Sequence, residues 1–287
     1  PYLYILPNMI LFLVFMIIPI FMSFYYGTVK WNGMGKPKFI GLANYIYIFQ
    51  DKVFLKSIFN TFYYAVATVP LLMALALFLA VMLNSKIPLR GFIRSAVYAP
   101  AVVSTVVVGT VFTWIFQDQL GLINYLLTSV GAKAIQWNND PKFAMLMLVT
   151  ATMWQKAGYN MVIYLSSISG IDTTLYEAAV MDGANKRQQV FHITLPCLKN
   201  VIIMMFILNV GKIFYSDFGL FYQLSQGASG SIFKTTATID TYIYNALRSS
   251  TIGMTSAAAF FQSVACCITI ILANAIVKKF DEDSAII

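Results

Sequence analysis

The sequence predicts an all-α polytopic membrane protein with about six transmembrane helices. Of its 287 residues, 59% are hydrophobic and only 10% are charged, whereas soluble domains carry about 25% charged residues. The mean hydropathy is +0.74. A helix needs about 20 apolar residues to cross the hydrocarbon core of a bilayer. Windows of this kind lie at about 3–25, 60–83, 96–116, 143–166, 199–222 and 254–277.

Each window is predicted to be a helix, because a chain inside lipid must satisfy its own backbone hydrogen bonds. The first window has the length of a full span and no small-residue cleavage site closes it, so it is not interpreted as a signal peptide. Since Pro1 is not a natural first residue, we expect a short segment to precede it. The prolines expected to bend these helices are Pro7, Pro19, Pro70 and Pro100.

The connections alternate between long and short polar segments. Residues 27–57 and 223–253 are predicted to be long loops, and residues 117–142 form a third that contains a short interfacial helix near 121–125. The turn at 84–95, the loop at about 167–198 and the tail from Lys278 lie on the other side of the membrane. No internal repeat is visible, so the whole chain, 1–287, is treated as a single transmembrane domain.

Several classes of function are disfavoured by what the composition lacks. The cysteines Cys197, Cys266 and Cys267 offer neither a disulfide framework nor metal-ligand spacing. With His192 as its only histidine, the chain has no catalytic triad and is not expected to be an enzyme. The net charge of +8 is attributed to contact with an anionic membrane surface. No basic and aromatic module for nucleic acid is present.

Residues 174–196 are predicted to form two short helices joined by a turn. Thr174 and Glu177 have the spacing of a capping box, which would start the first helix near Leu175. Gly183 can adopt a positive φ and end that helix. Asn185 can then cap a second helix, which runs through Ile193 and ends before Pro196.

The spacing of Glu177-Ala178-Ala179, Gly183 and Ile193-x-Leu195-Pro196 resembles the EAA motif, the cytoplasmic coupling loop of permease subunits in type I ATP-binding-cassette (ABC) importers. Residues 39–45 and 154–164 are similar to the carbohydrate branch, which takes up maltose and oligosaccharides. The resemblance covers essentially the whole chain. An ordinary capped helix would explain Glu177 alone, but not the residues that follow it at these distances.

The resemblance implies the type I importer permease fold and a set of partners. These are a second, similar permease that forms a heterodimer with this chain, two ABC ATPase subunits and an extracytoplasmic substrate-binding protein. This sequence contains no phosphate-binding loop, so the resemblance places ATP-Mg on the ATPase subunits and no cofactor in this chain. The residues expected to contact the ATPase are Glu177, Ala178, Ala179, Asp182, Gly183 and Ala184.

Lysine and arginine are almost evenly distributed between the two sets of loops. The positive-inside rule therefore gives almost no information about the orientation of the chain in the membrane. The coupling-loop resemblance assigns residues 84–95, the coupling loop and the C-terminus to the cytoplasm. Six spans then put the N-terminus there too. The chain is expected to be a multi-pass protein of the cell membrane.

Polar residues at membrane depth mark the candidate substrate path, because such groups are costly in lipid. They lie in the fourth and fifth windows and are Gln155, Lys156, Tyr159, Asn160, Asn209, Lys212, Tyr215, Ser216 and Asp217. On a continuous helix, residues 209, 212, 216 and 219 would share an arc of about 80°. They could line a cavity for the hydroxyl groups of a sugar. Alternatively, they could hold helices together, for instance through an ion pair of Asp217 with Lys156 or Lys212.

The function expected from these features is ATP-driven import of a sugar or oligosaccharide. The excess of lysine over acid in the candidate path would also suit an acidic saccharide. Two alternatives remain open at the level of the sequence. The first is an ABC importer permease for an amino acid, peptide or other solute, and the second is a channel or ion-coupled carrier that works without ATP.

Overall fold

The computed structural model describes residues 2–85, 87–137, 139–212, 214–215, 218–225, 232–249 and 252–280. Within them the regular secondary structure is helical apart from one short β-ladder, which confirms the predicted fold class. Two long helices, α4 (Lys52–Asn84) and α8 (Pro141–Ser169), pack against each other along the centre of the protein. Both begin at an aspartate N-cap: Asp51 accepts the Val53 N–H at 2.8 Å, and Asp140 accepts the Lys142 N–H at 2.9 Å.

The first span is α1 (Tyr2–Phe12) and α2 (Ile18–Gly27), joined by a π-helical segment at Leu13–Ile17. This segment ends two residues before Pro19, which lacks the N–H that a regular helix requires at that point. Helix α2 packs against the last helix, α16 (Ile252–Phe280). The side chains of α1 described by the structure are exposed and, apart from Asn8, apolar.

The predicted loop at 27–57 contains regular structure. Strand β1 (Val29–Lys30) pairs antiparallel with β2 (Lys38–Phe39), with Val29 opposite Phe39. Helix α3 (Ala43–Gln50) follows and packs against α4 and α16. The Asn44 side chain connects these elements, because its Nδ2 donates to the carbonyl oxygens of Gly27 and Val29, both at 2.9 Å.

The third window is two helices rather than one. Helix α5 (Arg90–Val102) meets α6 (Thr105–Ile115) at an angle of 101°. Pro100 lies in the last turn of α5, and the Val103 N–H donates to the Pro100 carbonyl oxygen at 3.2 Å. The break leaves the Val103 carbonyl oxygen outside any helix, where Nε2 of Gln155 donates to it at 3.4 Å. A side chain of α8 thus satisfies the carbonyl freed by the break. By contrast, Pro70 lies within the uninterrupted α4.

The remaining elements of the chain are short apart from α12. Helix α7, Leu122–Ser129, confirms the predicted helix near 121–125. Residues 223–253, predicted to be a loop, include two short helices, and the second of them begins at a capping box formed by Thr238 and Thr241. The other elements are α9 (Thr173–Met181), α10 (Lys186–Gln189), a π-helical segment (Val190–Thr194), α11 (Leu195–Cys197), α12 (Lys199–Lys212), α13 (Phe218–Leu224), α14 (Phe233–Thr236) and α15 (Ile239–Arg248).

The fifth window, predicted as one helix over 199–222, is interrupted. Helix α12 ends at Lys212 and α13 begins at Phe218. The Phe214 carbonyl oxygen in this break accepts a hydrogen bond from Nε2 of Gln262 in α16, and the same nitrogen lies 2.5 Å from an Asp240 carboxylate oxygen. The predicted arc of residues 209, 212, 216 and 219 is therefore wrong, because Asn209 and Lys212 lie in α12 whereas Gly219 lies in α13. Ser216 lies outside the described residues.

Three helices are long and apolar enough to cross a membrane: Tyr4–Gly27, Lys52–Asn84 and Ile252–Lys279. The bent pairs Arg90–Val102 with Thr105–Ile115, and Lys186–Cys197 with Lys199–Lys212, raise the number to five among the described residues. Helix α8 is 29 residues long, or about 44 Å at 1.5 Å per residue, but its polar side chains keep it out of this apolar set. The structure thus supports three to five apolar spans, against six predicted windows.

The buried side chains form three clusters along the α4–α8 pair. One lies at the end where α8 begins and includes Phe112, Trp137 and Phe221. Another packs α4 against α12, α15 and α16. The third lies where α8 ends and contains Leu83, Ile168 and Leu198. This third cluster connects the α4–α5 turn to the segment between α8 and α12.

Candidate functional site

The segment from Asp172 to Cys197, here called the elbow, joins α8 to α12. Its first helix, α9, begins at Thr173 rather than near Leu175. The N-cap is Asp172, whose carboxylate accepts the Thr174 N–H at 2.9 Å, so the predicted Thr174–Glu177 capping box does not form. The carboxylate takes this place because a negative charge is favoured at a helix N-terminus. The hydrogen bonds from Thr174 lower the pKa of Asp172 below its ordinary value.

Gly183 ends α9 as predicted, with φ at +78°. The turn is a Schellman motif: the Ala184 N–H donates to the Ala179 carbonyl oxygen at 2.8 Å, and the Gly183 N–H donates to the Val180 carbonyl oxygen at 3.0 Å. A Cβ atom at Gly183 would meet no other atom of the chain within 4 Å. The positive φ thus favours glycine at this position, while the space outside the turn is open.

Asn185 caps the second half of the elbow, as predicted. Its side chain and that of Gln188 form a reciprocal capping box, with bonds of 3.0 and 2.8 Å. The helical path does not end before Pro196, however. It continues through the π-helical segment Val190–Thr194 into α11, which contains Pro196. The wider π turn accommodates a proline that would clash with the preceding turn of a regular α-helix.

Side-chain hydrogen bonds hold the two halves of the elbow together. The hydroxyl groups of Tyr176 and Thr194 lie 2.9 Å apart, across 18 residues of sequence. Nε2 of the buried Gln189 donates to the Ala184 carbonyl oxygen at 3.1 Å. The bond between Tyr176 and Thr194 thus links α9 to the segment that leads into α12.

The outer surface of the elbow is exposed and includes a patch of apolar side chains. Among the coupling residues predicted from sequence, Glu177, Ala178, Asp182 and Gly183 are exposed, while Ala179 and Ala184 are half-buried. Large apolar side chains lie beside them without cover from the chain: Leu175, Val180, Met181, which is 87% exposed, and Phe191, which is 65% exposed. Such a patch on a protein surface is typical of an interaction site.

A cavity of about 640 Å³ lies between α4, α8, α12 and the α5–α6 break. Six of the residues predicted for the substrate path line it: Gln155, Lys156, Tyr159, Asn160, Asn209 and Lys212. Its volume falls within the range of about 300–1,000 Å³ that is usual for small-molecule sites. The predicted polar groups of the fourth and fifth windows thus come together on facing helices.

The hydrogen bond between Asn209 and Asn160 connects the two helices at the cavity. Nδ2 of Asn209 donates to Oδ1 of Asn160 at 3.0 Å and to the Met205 carbonyl oxygen at 2.7 Å. The helices run antiparallel, because the end of α8 and the start of α12 meet in one cluster with Ile168 and Leu198. Polar contacts of this kind hold helices together in membranes. The bond between Asn160 and Asn209 is therefore of the type expected under the alternative in which these polar residues hold helices together.

The two lysines of the cavity differ in their surroundings. Nζ of Lys212 lies 5.5 Å from the centroid of the Tyr159 ring, an arrangement in which the π face attracts the ammonium group. Lys156 is half-buried one turn along α8 from Asn160. Both side chains line the same cavity.

The cavity also contains residues that the sequence analysis missed. Tyr64 and Thr68 of α4 line it, as do Ser104 and Thr105 at the α5–α6 break. The Tyr64 hydroxyl donates to Oγ1 of Thr152 in α8 at 2.8 Å. Since Tyr64 and Thr68 are four residues apart in an apolar window, their i, i+4 spacing was the signal that could have identified this face.

Of the other three candidates for the substrate path, the structure describes only Tyr215. Tyr215 lies beyond the end of α12, is exposed, and does not line the cavity. Ser216 and Asp217 lie outside the described residues. The proposed ion pair of Asp217 with Lys156 or Lys212 therefore stays a prediction.

Comparison with known proteins places this architecture in a family. Residues 72–282 match the family described as binding-protein-dependent transport system inner membrane component. The probable ABC transporter permease protein YurN of Bacillus subtilis is 34% identical over 85% of this chain and 84% of its own length. The lactose transport system permease protein LacF of Rhizobium radiobacter is 33% identical over 85% of this chain and 82% of its own.

A solved structure is similar over almost the full length. It belongs to a bacterial alginate ABC transporter in complex with a periplasmic protein that holds an alginate pentasaccharide. The superposition covers 97% of this chain and 94% of that one, with a TM-score of 0.85 and 25% sequence identity. The chain therefore belongs to the family of binding-protein-dependent transport system inner membrane components, the membrane permeases of ABC transporters.

Proposed function

We propose that this chain is a transmembrane subunit of an ATP-driven importer for a sugar or oligosaccharide. The observation that carries the proposal is that the cavity and the elbow share two helices. Helices α8 and α12 supply most of the polar lining of the cavity, and the elbow joins the end of one directly to the start of the other. A force applied to the elbow would therefore move both walls of the cavity.

The exposed elbow supports a cytoplasmic ATPase as the partner that applies this force. Its small residues Ala178 and Gly183 permit close approach, the exposed Val180 and Met181 offer apolar contact, and Glu177 offers charge. Closure of two ATPase subunits around nucleotide would move the elbow and open the cavity alternately to each side of the membrane. In this proposal ATP-Mg is bound by the ATPase subunits, and this chain is a non-catalytic subunit without a cofactor.

The assembly that we propose has a second permease subunit, in a heterodimer with this chain, and an extracytoplasmic substrate-binding protein. The family description and the binding protein in the similar alginate transporter support the latter. The elbow, residues 84–95 and both termini would lie in the cytoplasm. This orientation follows because the elbow must lie on the cytoplasmic side of the membrane, where the ATPase subunits bind ATP.

The chemistry of the cavity supports a saccharide as the transported solute. The Tyr159 ring offers an aromatic face of the type that covers the C–H surface of a sugar. Around it, Asn160 and Thr152 offer amide and hydroxyl groups that can exchange hydrogen bonds with sugar hydroxyls. Several relatives are named for carbohydrate transport, including LacF for lactose and AraP of Bacillus subtilis for arabinooligosaccharides.

The test is an ATPase assay of the complex purified from its native membrane and reconstituted with its binding protein. A panel of saccharides, amino acids and short peptides is added, and uptake into the vesicles is followed in parallel. We expect ATPase stimulation and uptake with one class of saccharide. Stimulation by amino acids or peptides alone would assign another solute, and the absence of any co-purifying ATPase would contradict the importer itself.

A further inference from the structure

The segment between the first span and α4 carries an uneven charge. Residues 27–57 contain five lysines and a single acidic residue, Asp51. The Asp51 carboxylate is already engaged, because it accepts hydrogen bonds from the Val53 N–H and the Tyr242 hydroxyl, both at 2.8 Å. The five lysines are all exposed: Lys30, Lys36, Lys38, Lys52 and Lys56. The segment therefore presents a positive surface.

This positive surface lies at the end of the protein opposite the elbow. Helix α4 begins at Lys52 and is 33 residues long, or about 50 Å at 1.5 Å per residue. Its far end meets the two helices that flank the elbow in the cluster of Leu83, Ile168 and Leu198. In the proposed orientation the lysines thus lie on the extracytoplasmic side, which the positive-inside rule does not explain.

Two of the lysines are placed directly opposite each other. Lys30 of β1 pairs with Lys38 of β2 in the antiparallel ladder, and like charges at such positions repel. The ladder is attached to α3, because the Asn44 side chain donates to the Val29 carbonyl oxygen. An anionic partner at this surface would relieve the repulsion between the two lysines.

Helix α3 lies beside the ends of the spans and not beyond them. The Tyr45 ring lies 6.3 Å from the ring of Phe24 in α2 and 6.3 Å from that of Phe260 in α16. The rings of Phe49 and Phe261 are 5.3 Å apart. Phe260 is eight residues into α16, or about 12 Å along its axis. Helix α3 is therefore at the depth where lipid headgroups meet the hydrocarbon.

One face of α3 is apolar and exposed. Leu42, Ile46 and Phe49 have the i, i+4, i+7 spacing of a single helix face, and all three are exposed, Ile46 by 59%. Apolar surface is costly in water, whereas an amphipathic helix in the membrane interface buries such a face among the lipids. At this depth, lipid is the environment that fits the face.

The apolar face of α3 borders the exposed surface of α4. Phe59, Tyr63 and Val66 are exposed within the membrane span of α4, which suits contact with lipid. Lys56 lies at the start of this surface, with its Nζ 4.9 Å from the centroid of the Phe59 ring. Lysines near the ends of spans extend their ammonium groups to the headgroups. Apolar and basic side chains thus meet where α3 joins α4.

We propose that α3 and the lysines around it bind anionic phospholipids in the leaflet opposite the elbow. Leu42, Ile46 and Phe49 lie among the acyl chains, and the lysines of the β-ladder and of the first turns of α4 bind the phosphate groups. Basic residues next to a span are attracted to anionic headgroups in this way. The residues of this surface do not line the cavity, so the inference does not depend on the proposed solute.

The test is quenching of a fluorophore on α3 by brominated lipids, in the complete complex reconstituted in vesicles. The exposed cysteines are first replaced, as Cys197→Ser and Cys267→Ala, and Ile46→Cys is labelled with bimane. The vesicles contain equal amounts of phosphatidylglycerol and phosphatidylcholine, and only one of the two lipids is brominated on its acyl chains. We expect quenching by both lipids, at least about threefold stronger by phosphatidylglycerol. High salt should reduce this preference through screening.

Variants identify the source of the preference. The double variant Lys52→Gln with Lys56→Gln should quench almost equally with the two lipids, and arginine at both positions should retain the preference. Lys142→Gln is the matched control, because Lys142 is likewise exposed in the first turn of a long helix with an aspartate N-cap. This control should keep the preference of the parent protein.

Val66→Cys, labelled in the same way, is the reference for a position within the span of α4, where Val66 is 74% exposed. Absence of quenching at Ile46 would show that water or another protein chain covers α3, and would overturn the inference. Equal quenching by the two lipids in the parent protein, or a preference unchanged in the double glutamine variant, would contradict recognition of anionic headgroups by these lysines.

Discussion

Nδ2 of Asn209 in α12 donates to Oδ1 of Asn160 in α8 at 3.0 Å, and this bond lies between the elbow and the two lysines of the cavity. It joins the helices that enter and leave the elbow. Both side chains line the cavity, so the same pair is available to a sugar and to helix packing. Measuring both uptake and the amount of assembled complex can therefore separate the contribution of the pair to transport from its contribution to assembly.

Replacing Asn209 with alanine is expected to reduce transport while the complex still assembles. Interhelical hydrogen bonds in membranes contribute about 0.6 kcal/mol on average and rarely more than about 2, which is too little to prevent assembly. Loss of the contact at the cavity should lower uptake by roughly three- to tenfold, the ratio that corresponds to about 0.6–1.4 kcal/mol. Uptake in vesicles and the amount of assembled complex are measured side by side.

The matched control is Thr150→Ala. Thr150 is an exposed residue of α8 whose hydroxyl donates to the Leu146 carbonyl oxygen of its own helix at 2.8 Å, and it does not line the cavity. We expect its uptake to match that of the parent protein. If both variants lose uptake equally, or if Asn209→Ala no longer assembles, the pair acts in packing.

Gly183→Asp is expected to uncouple the ATPase while the chain stays inserted in the membrane. Aspartate is among the few residues that visit the left-handed region at modest cost, and no atom of the chain lies within 4 Å of the new Cβ. A partner docked against the turn would meet the added carboxylate. Substrate-stimulated ATPase activity and uptake should both fall more than about tenfold, a loss of roughly 1.4 kcal/mol or more in coupling.

Gly131 supplies the control for this substitution. Its φ is +80°, and a Cβ atom there would also meet nothing within 4 Å. It follows α7, at the other end of the protein from the elbow. Gly131→Asp should therefore keep stimulated ATPase activity and uptake. Undiminished uptake by Gly183→Asp would remove the elbow from the coupling mechanism.

Local features of the chain were predictable from sequence because their causes are local. Gly183 and Asn185 act within a few residues of themselves, and the structure places them as expected. The predicted start of α9 was wrong because the spacing of Thr174 and Glu177 favoured a cap at Thr174, whereas Asp172, two residues earlier, accepts the Thr174 N–H and carries the charge that a helix N-terminus favours. The membrane class followed from composition, which needs no spatial information.

The interruptions of the third and fifth windows depend on residues far away in sequence. The break after Val102 is satisfied by Gln155, and the end of α12 is satisfied by Gln262, 48 residues beyond Phe214. Hydrophobicity reports only that such a segment can enter the membrane. Such a helix can end where a side chain from a neighbouring helix forms a hydrogen bond with the backbone group that loses its helical partner. The position of that side chain is known only from the tertiary structure.

The first turn of α9 is expected to loosen at acidic pH. Hydrogen bonds from Thr174 lower the pKa of Asp172 in the folded protein, so the carboxylate stabilises the turn fully above the ordinary aspartate pKa of about 3.9. This stabilisation is lost as the pH falls through the lower pKa of the folded state. Protection of amides in the first turn of α9 is measured by hydrogen exchange from about pH 3 to about pH 6.

Asp172→Asn should remove this pH dependence while keeping the cap, because asparagine is an equally good N-cap residue. Asp140→Asn is the control, since Asp140 caps α8 through the same type of bond, to Lys142 N–H at 2.9 Å. That variant should leave the pH dependence of α9 intact. Protection in the first turn of α9 that is independent of pH in the parent protein would contradict the role of the Asp172 carboxylate.

Gly158 in α8 is expected to tolerate no side chain. A Cβ atom there would lie 2.1 Å from the Val97 carbonyl oxygen and 2.7 Å from the Tyr98 Cα, both backbone atoms of α5. Alanine would force α5 away from α8 beside the cavity, and overpacking of this kind costs about 1–3 kcal/mol or more. We expect the complex to lose its monodisperse state at a temperature several degrees lower, and uptake to fall with it. Gly170→Ala is the control because its nearest contact is the Ser167 carbonyl oxygen at 3.5 Å. Equal thermal stability of the two variants would show that α5 can move away from α8 without cost.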